Sequence, residues 1–218
     1  MAKFKTHVSW GVFIGVGLVV AGLIFSIFSG VESAIWIFSA VLLGSFLPDL
    51  DLDDGVPFQI LFGLLGAGFA GLIFFNFYQE GERSLKILFF IPALSFILIR
   101  FVAGSIFKQF THHRGMFHSI PAAILFGLLM IWFSHIFSII IGKELLIGAS
   151  VTIGYIGHLI LDEIYSSTNL SAGSLFPKQS VGSALKFSSA SRISTFIFYC
   201  ALLALALTLP ETKGFFTI

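Results

Sequence analysis

Charge is what this chain has least of. Only 11% of its 218 residues are Asp, Glu, Lys or Arg, against about 25% in a soluble domain. The 12 basic and 11 acidic side chains leave a net charge of +1, which excludes the basic face that nucleic acid demands. The lone cysteine, Cys200, excludes an intrachain disulfide and gives no reading of redox compartment. No internal repeat of 20 to 50 residues stands out. A small-x-small cleavage site followed by a polar mature region is also missing after the first apolar run, so that run is expected to be retained as a span.

What the chain has instead is grease. It is 57% hydrophobic, with a mean hydropathy of +1.01. A membrane-crossing helix needs about 20 mostly apolar residues. Candidate stretches run roughly 8–28, 34–48, 57–77, 85–106, 119–141, 145–165 and 193–209. The sequence therefore predicts an all-α, polytopic transmembrane helical bundle of about six to seven spans. Residues 1–218 are expected to form one domain, with membrane lipid as its surroundings and no partner protein indicated. A polar, Ser- and Gly-rich loop at about 166–192 is too hydrophilic to cross. Pro48 is expected to stop the second span, and Arg100 to end the fourth early.

With seven crossings, the N-terminal side carries Lys3, Lys5, Arg100, Lys108, Arg114, Lys178, Lys186 and Arg192. The other side carries Arg83, Lys86, Lys143 and Lys213. The positive-inside bias then predicts a cytoplasmic N-terminus.

Polar residues interrupt the apolar runs at Thr6-His7, at Pro48-Asp49-Leu50-Asp51-Leu52-Asp53-Asp54, at Thr111-His112-His113-Arg114-Gly115-Met116-Phe117-His118-Ser119, and at His158-Leu159-Ile160-Leu161-Asp162. These places are the start of span one, the end of span two, the start of span five and the end of span six. Counting crossings puts all of them on one side, whichever way the chain is inserted. Of the 6 histidines, only His135 falls outside these motifs. Chance would scatter such motifs over both sides.

The acidic motif crowds Asp49, Asp51, Asp53 and Asp54 at a helix C-terminus, where the macrodipole already disfavours negative charge. A divalent cation would resolve that conflict. Oxygen and nitrogen ligands together suit Zn²⁺ first, with Mn²⁺ or Fe²⁺ as alternatives. The plain reading of Asp53 and Asp54 is a solvated loop that caps span three, with Pro57 in its first turn.

His158 and Asp162 stand at i and i+4 and share one helix face. Their plain reading is a hydrogen bond tying two spans together. Their company on the same side favours metal ligation. Glu163 points about 100° away and reads as interfacial.

His113 and His118 bracket Gly115, which lets the chain bend so that both rings reach one centre. His112, adjacent to His113, reads as outward or as an outer partner. His7 alone would be an ordinary interfacial histidine, and His135 reads as structural. Arg114 could grip a phosphate or carboxylate with two parallel hydrogen bonds, its plain role being positive-inside anchoring. Lys178, Lys186 and Arg192 could line the same site, but the lysines read more simply as headgroup contacts.

Taken in order, Thr6-His7, Leu47-Pro48-Asp49-Leu50-Asp51, His113-Arg114-Gly115-x-x-His118-Ser119 and Gly154-Tyr155-x-x-His158-x-x-x-Asp162 resemble the YdjM-like family of membrane-bound, metal-dependent hydrolases. Leu175-Phe176-Pro177 is similar to a short element that follows the last motif there. The resemblance covers most of the chain. It implies an inner-membrane protein and a hydrolase, without naming a substrate. The His-x-x-x-Asp element is similar, more distantly, to zinc-dependent phospholipase C and related phosphodiesterases. The chain departs from the family pattern at Phe117, where a threonine is usual, and in the doubled His112-His113 and the added Asp53 and Asp54.

These readings combine into metal-assisted hydrolysis. His7, Asp49, Asp51, His118, His158 and Asp162 would hold one or two ions, with His113 as a further ligand or general acid and Arg114 steadying developing negative charge. Location at the headgroup level suggests a phosphoester or lipid-linked substrate. The competing reading is a metal-ion or proton transporter, which needs polar residues near the midplane and access from both sides. A third is a non-catalytic scaffold, whose polar cluster only locks helices together and binds no metal.

Overall fold

In a computed structural model of the chain, residues 4–51, 55–81, 84–110, 116–137, 142–167, 185–188 and 191–209 are described. Among them every regular element is helical: α1 (Phe4–Ile24), α2 (Val31–Phe46), a 3₁₀ turn (Leu47–Asp51), α3 (Val56–Gln79), α4 (Leu85–Ile97), a π-helical segment (Leu98–Ala103), α5 (Gly104–Phe110), α6 (Ile120–Ile136), α7 (Glu144–Ser167) and α8 (Arg192–Leu207). The helices Phe4–Ile24, Val31–Leu50, Val56–Gln79, Leu85–Lys108 and Glu144–Tyr165 are long and apolar enough to cross a membrane, and α6 and α8 are shorter apolar helices. Helices satisfy their own backbone, which is what the bilayer interior requires of a spanning segment. The protein is a polytopic α-helical membrane protein.

Local sequence explains several boundaries. The first helix begins at Phe4, earlier than hydropathy suggests, so His7 lies inside α1. Gly30, at φ 88°, makes the turn into α2 in a conformation that L side chains rarely adopt. Pro48 ends α2 as an α-helix, because it lacks an N–H and crowds the preceding turn. The chain tightens there into the 3₁₀ turn and does not simply stop. Ser119 caps α6 by accepting a hydrogen bond from the Ala122 amide at 3.3 Å, with Pro121 in the first turn.

Two expectations are corrected. Arg100 does not end the fourth span: the helix runs through it to Lys108, widening into the π turn on the way. The N-cap of α3 is Gly55, so neither Asp53 nor Asp54 occupies that position, although Pro57 is in the first turn as expected. The side chains of Asp53 and Asp54 lie outside the described residues.

The chain divides into two compact units, 1–48 with 114–218, and 49–113. In the first, α7 is the central helix and packs against α1, α2 and α6, while α8 packs on α6. In the membrane-crossing stretch of α7 61% of the residues are buried, against 22% in that of α1.

Lipid is as apolar as leucine, so close backbone approach and polar glue carry helix association here. The α2–α7 contact shows this. A methyl group on Gly44 would collide with the Val151 carbonyl, and one on Gly154 with the Val41 carbonyl. Between α6 and α7, Gly127 faces Gly148 and Thr152, and the Thr152 hydroxyl bonds the Gly148 carbonyl at 3.0 Å.

In the second unit, α3 packs along α4 and the π segment. Gly66 is set close against Phe96, and Gly104 against Phe58 and Phe62. Most of the expected polar loop lies outside the described residues. Its 185–188 end is pinned where the Lys186 carbonyl accepts from the Ile120 amide at 3.0 Å and the Phe187 carbonyl from the Tyr199 hydroxyl at 3.1 Å.

Candidate metal centre

In the first unit, the ends of three elements bring His7, His118, His158 and Asp162 together. His7 comes from the first turns of α1, His118 from the residue before the α6 cap, and His158 and Asp162 from one face of α7. All are buried, His158 completely. The Asp162 carboxylate is the hub. Its Oδ1 is 3.3 Å from His7 Nε2, and its Oδ2 is 3.8 Å from His158 Nε2 and 4.0 Å from His118 Nε2. The His7 and His158 rings stack with centroids 3.6 Å apart and planes within 10°. His118 meets His158 edge-on at 5.8 Å.

The orientation of His158 is set from α2. Its Nδ1 lies 2.7 Å from the Ser45 carbonyl oxygen. A carbonyl only accepts, so Nδ1 donates to it, and Nε2 is the nitrogen turned toward Asp162. Pro48 removes one backbone competitor for that carbonyl. In the i→i−3 pattern of the 3₁₀ turn, the donor for Ser45 would come from position 48, and proline has no N–H.

His118 is held through its neighbours. The Tyr155 hydroxyl of α7 donates to the Phe117 carbonyl, and the Ser119 hydroxyl donates to the Met116 carbonyl at 2.5 Å. Ser45 is the supporting residue that motif reading passed over, and Tyr155 stood in the last motif without a role of its own. Pro48, three residues after Ser45, was the available signal for the first. The i, i+3 spacing of Tyr155 and His158, which puts them on one helix face, was the signal for the role of Tyr155.

The donor set suits a divalent cation. One ligand atom each from His7, His158 and Asp162 lie within 4.8 Å of one another. Ligands on a tetrahedral ion with bonds of about 2.1 Å sit about 3.4 Å apart, close to the His7–Asp162 separation of 3.3 Å. His7 Nδ1 is buried with no hydrogen-bond partner among the described residues, and a buried ring nitrogen normally has one.

Asp49 is buried in the 3₁₀ turn that opens the second unit, and Asp51 closes that turn. The Asp51 side chain, and His112, His113 and Arg114 entirely, lie outside the described residues. His135 is at the opposite end of the first unit, where its Nδ1 is 3.9 Å from Glu144 Oε1.

The fold and this cluster define a class: a multi-pass helical membrane protein with buried imidazoles and a carboxylate gathered at one end of a bundle. The family model described as YdjM inner membrane protein matches residues 1–217. The chain belongs to that family and is an inner-membrane protein. No curated protein and no solved structure matches it.

Proposed function

We propose that the protein is a membrane-bound, metal-dependent hydrolase that acts on a phosphoester or lipid-linked substrate at the cytoplasmic face. The observation that carries this reading is the Asp162 carboxylate, flanked on one oxygen by His7 and on the other by His158 and His118, with His158 oriented by a backbone carbonyl. Oriented imidazoles whose far nitrogen is tied to a carbonyl or carboxylate are the usual supports of a catalytic ion.

His7, His118, His158 and Asp162 hold the ion in this reading, and Asp49 and Asp51 complete the set on the strength of their motif. Zn²⁺ is the first choice, with Mn²⁺ or Fe²⁺ as alternatives, as one or two ions. When bound, such an ion acts as a Lewis acid and lowers the pKa of water to about 7. His113 serves as a further ligand or as general acid to the leaving oxygen. Arg114 grips the phosphoryl oxygens and steadies the negative charge that builds on them. The apolar helices around the cluster exclude bulk water, which strengthens each of these interactions.

The test is metal analysis of protein purified without added metal, alongside turnover of generic phosphoester and lipid substrates. Wild type should retain about stoichiometric divalent metal, and Arg114→Lys should lower turnover while keeping the metal. Folded wild type that is metal-free and cannot be reconstituted with Zn²⁺, Mn²⁺ or Fe²⁺ sinks the reading. An N-terminal reporter fusion tests the orientation: a periplasmic N-terminus would move the cluster to the other face.

A further inference from the structure

Glu144 and its neighbours are polar residues that the Asp162 cluster does not use. Glu144 opens α7 and lies about 27 Å from Asp162 at the α-helical rise. It is only 5% exposed. Its Oε1 is 3.9 Å from His135 Nδ1. Its Oε2 is buried with no hydrogen-bond partner among the described residues, and so is the hydroxyl of Ser134, a completely buried residue. Buried polar atoms normally have partners, and an unpaired buried carboxylate oxygen is among the costliest to leave without one.

Helix packing sets these groups on one seam. Gly127 and Ile131 of α6 lie against Gly148 of α7. One turn nearer this end of the bundle, the same faces carry Ser134 on α6 and Glu144 on α7. The first turn of a helix favours a carboxylate, which accounts for the charge of Glu144 but gives its Oε2 no partner. His135 is in the last turn of α6, where the helix C-terminus favours a cation. The adjoining Lys143 is turned to α2, where its Nζ donates to Ser33 Oγ at 2.9 Å.

An imidazole nitrogen, a carboxylate and a hydroxyl together make a donor set for a borderline divalent ion. At 3.9 Å the imidazole and the carboxylate are too far apart to hydrogen-bond each other. The separation is about 0.5 Å wider than that of two ligands on one tetrahedral ion. The half-exposed ring of His135 has room to close that difference, and its open side lets water complete the coordination.

We propose that Glu144, His135 and Ser134 form a second divalent-metal site, of the Zn²⁺ type, at the end of the first unit away from Asp162. The site does not depend on the hydrolase reading. Few protein ligands and an open side make its ion exchangeable. It leaves during purification, so retained metal still reports on the Asp162 cluster alone.

The test is calorimetric titration of Zn²⁺ into full-length protein in detergent, purified with its retained metal. Wild type should bind one further, weaker equivalent. Glu144→Gln and His135→Ala should each weaken that event by at least about tenfold, and Ser134→Ala by less, with retained metal unchanged in all of them. Should Glu144→Gln fail to fold, His135→Ala and His135→Gln carry the measurement. Asp162→Asn should leave the weaker event in place. The proposal is overturned if wild type shows no such event, if the event persists in the folded Glu144 and His135 variants, or if Asp162→Asn abolishes it. Equal competition by Mg²⁺, which has little use for an imidazole, would also overturn it by revealing general attraction to a carboxylate.

Discussion

The imidazoles of His7 and His158 lie face to face, 3.6 Å between centroids, and address opposite oxygens of one carboxylate, that of Asp162. Stacking uses the ring faces and leaves the nitrogen-bearing edges for the carboxylate. That geometry makes Asp162 the residue whose change should be felt most.

Asp162→Asn keeps the side chain's shape and removes its charge. Bound divalent metal should fall at least about 100-fold in affinity, since outer partners alone are worth about 10–100-fold. The check is metal content after dialysis against a graded chelator, with thermal unfolding in detergent confirming that the variant folds.

Gly44→Ala should act through the backbone. Its new methyl meets the Val151 carbonyl, which cannot move aside as a flexible side chain would. Parting α2 from α7 should cost about 1–3 kcal/mol. It should also draw the Ser45 carbonyl away from His158 and weaken metal binding by about tenfold or more. Gly63→Ala, where a methyl meets open space inside α3, should leave metal content unchanged and should not lower the unfolding midpoint.

Tyr155→Phe removes the hydroxyl that holds the Phe117 carbonyl beside His118. The expected loss is about 0.5–1.5 kcal/mol of stability and about tenfold in metal affinity. Retention of full metal affinity would show that His118 needs no such support.

Ser119→Ala takes away the α6 cap next to His118. Stability should drop by about 1 kcal/mol, read as a lowered unfolding midpoint. Ser119→Thr, which keeps the hydroxyl that both caps the helix and donates to Met116, should restore most of it.

His135→Ala supplies the contrast. Its ring is half-exposed and pairs with Glu144 at the end of the first unit away from the cluster. Metal content should be unchanged in the folded variant. A loss as large as that from Asp162→Asn would contradict a cluster confined to one end.

Much of this was legible in the residues. The long apolar runs announced the helices, because a bilayer admits few other spanning structures. Parity of crossing placed His7, His118, His158 and Asp162 on one side before any coordinates. The i, i+4 spacing of His158 and Asp162 needed only helix geometry. Arg100 misled, because a charge inside an apolar run looks like a boundary while the helix carries it through a π turn.

The amino-acid sequence by itself determined that the chain is helical, membrane-spanning and polar at one edge. Hydropathy and periodicity are properties of each segment alone. Only the tertiary structure decided that Asp162 is the hub, that His7 stacks on His158, and that the Ser45 carbonyl aims the ring. Those depend on how α1, α2 and α7 seat against one another, through glycines at Gly44 and Gly154. A backbone carbonyl looks the same at every position until packing gives it a neighbour.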